Sequence, residues 1–170
     1  MSVEEHKTKA PASVACSIIT VSDTRTEETD KSGALIRDLL ITKGHEVTDY
    51  QIIKDEQTLI KNAVLYACEN SKIKAVIVNG GTGIATRDVT IEAVHPLLDK
   101  EMPGFGEIFR SLSYFEDIGS SAILSRALAG TASNTAVFVI PGSSGAVKLA
   151  MEKLILPELG HIIREIQKDL

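Results

Sequence analysis

The stretch IKAVIVNGGTG, residues 73–83, is a short apolar run followed at once by a glycine-rich turn. A run dominated by Val and Ile is typical of a strand covered on both faces, and strands of that kind belong to parallel sheets. Gly80, Gly81 and Gly83 then supply the flexible backbone of a tight turn. The stretch therefore predicts a buried strand that delivers a glycine loop to one edge of a parallel sheet.

Similar apolar runs recur along the chain, and helical patterns lie between them. Strands are predicted over residues 13–21, 46–53, 73–78, 123–129 and 135–140. Helices are predicted over residues 31–43, from residue 55, over 88–95, through residue 115 after a break at residues 102–106, over 145–156 and after a break at residue 157. Gly44 has the position of a glycine that ends a helix. Alternating strands and helices predict an α/β three-layer sandwich with a mostly parallel central sheet.

The length of the chain bounds its domain organisation. At 170 residues it fits one ordinary domain, and two domains would each be undersized. Residues 1–12 are polar and lack the apolar segment of a signal peptide, so they are predicted to form a flexible leader. The expected organisation is this leader followed by a single domain over residues 13–170.

Composition excludes several classes of protein. The net charge of −5 argues against a nucleic-acid binder, which needs a basic surface. No run of 18 apolar residues is present, so no membrane span is expected. Cys16 and Cys68 lie inside apolar runs and are predicted to be buried free thiols, as in a reducing cytosol. We therefore expect a cytoplasmic protein with no nucleic-acid or membrane partner.

Three loops rich in Gly, Ser or Thr follow predicted strands: residues 22–24, 80–83 and 142–144. The carboxyl ends of parallel strands meet at one edge of a sheet, where α/β proteins bind their ligands. Backbone N–H groups in such loops, next to helix N-termini, suit a phosphate or another small anion. One such loop is weak evidence because it can be a simple turn, but three together predict an anion site.

Two common nucleotide motifs do not fit. No G-x-x-x-x-G-K-[ST] string is present, so a P-loop nucleotidase is not predicted. Residues 81–86 match only part of G-x-G-x-x-G and follow the third predicted strand instead of the first, which argues against a dinucleotide site. The four histidines lie on different elements without the spacing of zinc ligands.

Two acids stand just before predicted helices, and each has two interpretations. Asp55 follows the second strand and Asp88 the third. Either acid can be a helix N-cap, a role that Asp often takes, or a catalytic group at the sheet edge. Arg87 can pair with Asp88 or hold a phosphate. The pair Ser125-Arg126 can reach an anion or be an ordinary surface pair.

Several motifs, taken in order, are together specific. They are Val21-Ser22-Asp23-Thr24, Asp30-Lys31-Ser32-Gly33, Gly80-Gly81-Thr82-Gly83, Arg87-Asp88-Val89-Thr90, Met102-Pro103-Gly104-Phe105-Gly106-Glu107, Leu124-Ser125-Arg126 and Pro141-Gly142-Ser143. This series resembles the molybdopterin-binding (MoaB/MogA, gephyrin G-domain-like) family over about residues 15–159. The resemblance implies that family's fold and a role in molybdenum cofactor biosynthesis.

The activity that the resemblance implies is adenylylation of molybdopterin with Mg-ATP, which releases pyrophosphate. The alternative is a protein that binds molybdopterin or its precursor without turning it over. Asp55 and Asp88 would be catalytic and would hold Mg²⁺, with no tightly bound metal. The positions implied to bind substrate or phosphate are Ser22, Asp23, Thr24, Gly80, Gly81, Thr82, Gly83, Glu107, Ser125, Arg126, Pro141, Gly142, Ser143 and Ser144.

The resemblance also implies partners. We expect molybdopterin, ATP and other molybdenum cofactor biosynthesis proteins, together with a homo-oligomer that is a trimer or a hexamer. The residues offer one hint of their own, an aromatic cluster that can be core or interface: Phe105, Phe109, Tyr114 and Phe115.

Overall fold

The structure, a computed structural model, describes residues 8–170. The first seven residues of the predicted leader lie outside the described residues. The described residues are built around one sheet of six strands. The strands are β1 (Ala15–Val21), β2 (Glu46–Ile53), β3 (Ala75–Asn79), β4 (Lys100–Glu101), β5 (Leu128–Ala132) and β6 (Thr135–Ile140). Their order in the sheet is β2-β1-β3-β6-β5-β4.

The sheet is mostly parallel, as the sequence predicts. β1 pairs in parallel with both β2 and β3, and β3 pairs in parallel with β6. β5 and β4 complete the sheet as antiparallel strands. Because β1, β3 and β6 are neighbours that run in the same direction, the loops that follow them emerge at the same edge.

Helices cover both faces of the sheet. They are α1 (Lys31–Thr42), α2 (Gln57–Glu69), α3 (Thr90–Val94), α4 (Pro103–Glu116), α5 (Ser144–Ala150) and α6 (Leu156–Gln167). Ile18 and Ile77 belong to one buried cluster, with side chains from α1, α4, α5 and α6. Ile19 and Val78 point to the other face and join a second cluster with α2 and α3. The predicted three-layer sandwich is confirmed.

The ends of α1 show how local sequence sets this frame. The carboxylate of Asp30 caps the first turn by accepting a hydrogen bond from the Gly33 N–H at 3.0 Å. At the other end Gly44 has φ +82°, a conformation that glycine adopts without strain. Its N–H bonds to the Ile41 carbonyl, and the His45 N–H bonds to the Leu40 carbonyl. The predicted C-terminal glycine is confirmed.

The strand predicted over residues 123–129 is wrong in its bounds. Residues Gly119–Leu124 form a 3₁₀ turn, and the strand begins only at Leu128. Ile123 is 83% exposed, so the apolar residues around it do not form a buried strand. The strand instead extends to a two-residue hairpin turn at Ser133 and Asn134, whose φ angles are +49° and +61°.

The helix break predicted at Pro157 is also wrong. A π-helical turn over Met151–Ile155 joins α5 to α6, and the helical chain continues through the proline. Pro157 is the second residue of α6 and directly follows the π turn, where the regular i→i−4 hydrogen-bond pattern is already interrupted. Leu159 and Ile163 beyond it remain buried. Within residues 8–170, no helix is long and apolar enough to cross a membrane.

Candidate active site

The three predicted loops meet at one cavity of about 530 Å³. They enter it from the carboxyl ends of β1, β3 and β6. The predicted site residues that line the cavity are Ser22, Thr24, Asp55, Gly80, Gly81, Thr82, Gly83, Asp88, Ser125, Pro141 and Gly142. The sheet edge thus brings together most of the positions that the sequence singled out.

Consecutive glycines shape the central loop, residues 80–83. Gly80 has φ +97° and Gly81 has φ +65°, a region that strains other residues. Thr90 fixes this conformation from the start of α3. Its Oγ1 donates to the Gly80 carbonyl at 2.8 Å, and its backbone N–H donates to the Gly81 carbonyl at 3.0 Å.

The same loop lies against two carboxylates. A Cβ added at Gly81 would stand 2.8 Å from Oδ1 of Asp55, and one added at Gly83 would stand 2.5 Å from Oδ2 of Asp88. Side chains at either position would collide with these oxygens. Glycine is therefore required here for the close approach of Asp55 and Asp88 as well as for the turn.

Neither acid is a helix cap, so that interpretation is wrong for both. Oδ2 of Asp88 accepts from the Ala85 N–H at 2.9 Å, within the turn before α3. The residue that precedes α3 is Val89, and the one that precedes α2 is Glu56; neither makes a side-chain capping bond. Both carboxylates are held at the cavity instead.

Electrostatics distinguish Asp55 from its neighbour Asp23. Burial raises the pKa of Asp55, and the nearby charges of Asp23 and Asp88 raise it further. Asp23 has a pKa below its usual range because Arg87 donates to both of its carboxylate oxygens, at 2.8 to 3.0 Å. Arg87 therefore pairs with Asp23 and not with Asp88. Asp23 also accepts the backbone N–H of Asp55 at 3.2 Å, which links the loops after β1 and β2.

Arg25 lines the cavity but was not among the predicted site residues. Its Nη2 donates to the Gly142 carbonyl at 2.8 Å, and Oγ of Ser32 donates to the same oxygen at 2.6 Å. Two donors thus fix the orientation of the loop after β6. These contacts join residues more than 100 positions apart, so no local pattern could reveal them.

Arg25 is held in turn by a buried acid. Its Nη1 lies 3.4 Å from Oδ1 of Asp30, which is 1% exposed. Oδ2 of Asp30 accepts from the Tyr50 hydroxyl at 2.6 Å. Burial favours protonation of Asp30, but hydrogen bonds from Thr20, Tyr50 and the Gly33 N–H, with the charge of Arg25, bring its pKa below the usual value. Asp30 is therefore a charged anchor behind the site.

Five predicted positions do not line the cavity: Asp23, Glu107, Arg126, Ser143 and Ser144. Ser143 caps α5, because its Oγ accepts from the Ala146 N–H at 3.3 Å. Glu107 is exposed on α4. Conversely, the cavity wall contains residues that were not among the predicted site positions: Val21, Arg25, Ile118, Ser121 and Leu124.

The acids at the cavity suit a metal ion that arrives with phosphate. Among residues 8–170 no group of three or more His, Cys, Asp or Glu side chains is placed to hold a metal. Asp55 and Asp88 both lie at the cavity wall. Mg²⁺ in phosphate-transfer sites commonly takes one or two carboxylates and completes its shell with phosphate oxygens and water. The two acids fit that mode of binding.

Fold and site together define an α/β protein with a cavity at the carboxyl ends of its parallel strands, lined by a glycine loop and two carboxylates. The family described as "Probable molybdopterin binding domain" matches residues 17–161. The chain belongs to this family, and the resemblance of its motifs is confirmed.

The chain is also similar in sequence and structure to individual members of this family. "Molybdenum cofactor biosynthesis protein B" of Bacillus subtilis is 63% identical over 169 residues, 99% of each chain. A crystal structure of a molybdenum cofactor biosynthesis protein B matches with a TM-score of 0.91 and 61% identity, covering 94% of this chain and 99% of that one. The "tungsten cofactor synthesizing protein MoaB from Pyrococcus furiosus" matches with a TM-score of 0.83 and 39% identity, covering 93% and 99%.

Proposed function

We propose that this protein, whose place in molybdenum cofactor biosynthesis follows from its family, binds molybdopterin and adenylylates it with Mg-ATP. The observation that carries the proposal is the pair of carboxylates, Asp55 and Asp88, set against glycines of the loop after β3. Backbone loops alone suit phosphate binding. Two acids beside them add the means to hold a metal–nucleotide complex.

In the proposed reaction a terminal phosphate oxygen of molybdopterin attacks the α-phosphorus of ATP. A new P–O–P bond forms, the bond from the α-phosphorus to the bridging oxygen breaks, and pyrophosphate leaves with that oxygen. The protein supplies position and charge compensation, because phosphoryl-type transfer needs little covalent chemistry from an enzyme. The Gly80 N–H already donates to the Ile140 carbonyl at 3.1 Å, so the backbone N–H groups of residues 81–83 and of the loop after β6 would contact phosphate oxygens.

The two acids have separate tasks in this proposal. Asp88, whose oxygen is fixed by the Ala85 N–H, would give the Mg²⁺ of Mg-ATP a rigid ligand. Asp55 has a raised pKa caused by burial and by neighbouring carboxylates, so an incoming cation would favour its charged form. Mg-ATP would thus relieve the repulsion between the carboxylates of Asp55 and Asp88.

The direct test is release of pyrophosphate from Mg-ATP with purified molybdopterin. We expect pyrophosphate and adenylyl-molybdopterin in equal amounts, and none when molybdopterin is left out. Tight binding of molybdopterin without pyrophosphate release would contradict the enzyme proposal and favour the non-catalytic binding protein.

We also propose that the protein is a homo-oligomer, a trimer or a hexamer. The aromatic cluster divides in two: Phe109 is buried, and Phe105 packs on Phe138 in the core with ring centres 5.6 Å apart. Tyr114 and Phe115 are instead 51% and 78% exposed. Ile118, Ile123 and Leu124 follow them in the chain and are also exposed. These five exposed residues are called the apolar strip. Apolar surface of this kind usually marks a contact.

This apolar strip reaches the proposed active site, because Ile118 and Leu124 also line the cavity. A second copy on the strip would therefore stand beside the bound substrate. In the proposal the protein works in the cytoplasm, takes molybdopterin and ATP, and passes its product to other proteins of molybdenum cofactor biosynthesis.

A further inference from the structure

Arg126 lies behind the loop after β3 and holds its carbonyl groups. Its Nε donates to the Thr82 carbonyl at 2.9 Å, and its Nη2 donates to the Gly83 carbonyl at 2.8 Å. Nη2 also lies 3.3 Å from the Asp88 carbonyl. One side chain thus fastens both the glycine loop and the turn that carries Asp88.

The charge of Arg126 is already compensated. Glu92 on α3 forms an ion pair with it through Nη1 and, at 3.3 Å, through Nη2. The pKa of Glu92 is lowered mainly by this hydrogen bond from Arg126. Within the part of the chain that the structure describes, at most one N–H of the guanidinium, on Nη1, lacks an acceptor. A neutralised guanidinium outside the cavity lining is poorly placed to bind phosphate directly.

Its contacts nevertheless decide which way the loop faces. The C=O and N–H groups of a trans peptide point in opposite directions because the peptide unit is planar. Since the Thr82 and Gly83 carbonyls point at Arg126, the N–H groups of Gly83 and Ile84 point away from it. Among residues 8–170 neither N–H has a hydrogen-bond acceptor. Gly83 itself lines the cavity.

We propose that Arg126 is a positioning residue that turns the N–H groups of Gly83 and Ile84 toward a phosphate of the ligand. Glu92 assists by fixing the guanidinium and neutralising it. Arg126 acts on the phosphate through the loop and does not contact it. The identity of that phosphate rests on the proposed function, but the orientation of the loop does not.

The proposal separates shape from charge, so variants can test it. Arg126→Lys keeps the positive charge but lacks the planar guanidinium that reaches three carbonyl groups. Arg126→Gln lacks both the charge and the guanidinium. We expect both variants to bind pyrophosphate, measured by calorimetry with Mg²⁺ present, on the order of tenfold more weakly than the unmodified protein, as for one lost charged hydrogen bond. Arg37→Gln, at an exposed pair with Asp38, is the matched control and should not change the affinity.

A direct contact with phosphate predicts the opposite pattern. Arg126→Lys would then keep most of the affinity, and Glu92→Gln would increase it by releasing the arginine. Under our proposal Glu92→Gln, which keeps an acceptor for the guanidinium but loses the ion pair, lowers the affinity, and by less than the Arg126 variants do. Retained affinity in Arg126→Lys, or a gain in Glu92→Gln, would overturn the proposal.

A second readout needs neither ligand nor turnover. Amide resonances of Gly83 and Ile84 in the ligand-free protein should shift in both Arg126 variants and stay in place in Arg37→Gln. Unchanged resonances in Arg126→Lys would also overturn the proposal. A merely stabilising role would lower the melting temperature but leave the affinity of the folded protein intact. If the unmodified protein released no pyrophosphate, the proposed reaction would fail while these measurements still decided the role of Arg126.

Discussion

Oδ2 of Asp88 accepts a hydrogen bond at 2.9 Å from the backbone amide of Ala85, three residues before it in the chain. This bond closes the turn before α3 and keeps the carboxylate against Gly83. The acid is therefore rigid because of its own turn, and α3 starts without its help. Its charge can be removed with little effect on the helix.

Asp88→Asn tests the role of that charge. An amide oxygen can still accept from Ala85, so we expect the free energy of unfolding to change by about 1 kcal/mol or less. Pyrophosphate release should fall by about a hundredfold or more, as when one electrostatic catalytic group is lost. Molybdopterin binding should persist. Asp38→Asn, an exposed acid on α1, is the control. Equal turnover in both variants would show that Asp88 has no catalytic role.

Gly83→Ala should damage the site without a change of charge. Its Cβ would stand 2.5 Å from Asp88 Oδ2, so the carboxylate or the loop must move. We expect a loss of activity of at least about tenfold, the scale of a misplaced catalytic group. Gly104→Ala meets no atom within 4 Å and lies in α4, where it should stabilise by about 0.5 to 1 kcal/mol. Thermal unfolding and pyrophosphate release are measured for both variants. Unchanged pyrophosphate release in Gly83→Ala would contradict the expected collision with Asp88.

Asp55→Asn should stabilise the protein at neutral pH. Burial and neighbouring carboxylates raise the pKa of Asp55 in the folded state, so the folded protein binds more protons than the unfolded chain. Its contribution to stability therefore falls as pH rises through the raised pKa. The gain in Asp55→Asn should be full above that pKa and should vanish below about pH 4, near the ordinary pKa of Asp. Melting temperatures of both proteins across this range measure it, and a variant less stable at pH 7 would contradict it.

Asp30 should show the reverse dependence on pH. Its pKa is lowered in the folded state, so its stabilising effect is present above the ordinary pKa of Asp and is lost as pH falls through the lowered value. Asp30→Asn should cost about 2 to 4 kcal/mol at neutral pH, because it leaves Arg25 without its buried partner. Tyr50→Phe, which removes one hydrogen bond to the same carboxylate, should cost about 1 kcal/mol. Urea unfolding measures the loss of stability in both variants. Equal losses in Asp30→Asn and Tyr50→Phe would contradict the prediction.

Phe115→Ser should weaken the proposed oligomer. Phe115 is 78% exposed in the single chain and lies in the apolar strip beside the cavity. We expect light scattering to show smaller species for this variant at micromolar concentration. Tyr66→Ser, which changes an aromatic residue of similar exposure on α2, is the control and should leave the mass unchanged. A stable monomer of the unmodified protein would remove the proposal.

The sequence predicted the layers and the loops of the site because both depend on local patterns. The apolar run before Gly80 indicated a buried parallel strand, and the structure has β3 in the middle of the sheet. Gly44 and the glycines of residues 80–83 gave signals that a backbone conformation requires.

What the sequence did not predict depends on contacts between distant parts of the chain. Arg25 and Ser32 meet at the Gly142 carbonyl, and Arg126 meets the loop after β3, more than 40 residues away. The predicted bounds of β5 were wrong for another reason, because the apolar residues Ile123 and Leu124 lie on the exposed surface. Apolar residues in an oligomer interface and in a core give the same pattern in a sequence.

The π-helical turn over Met151–Ile155 makes the C-terminal helix tolerant of one kind of length change. A π turn accommodates one more residue than an α turn, so it takes up an insertion locally. Removing one residue inside this segment should narrow the wide turn ahead of Pro157 to α-helical spacing and leave Leu159 and Ile163 facing the sheet. Removing one residue after Pro157 should rotate all that follows by about 100°, since an α-helix has about 3.6 residues per turn, and should bring Ile163 out of the core. The segment 151–155 is therefore where this helix can lose a residue while the core keeps its register.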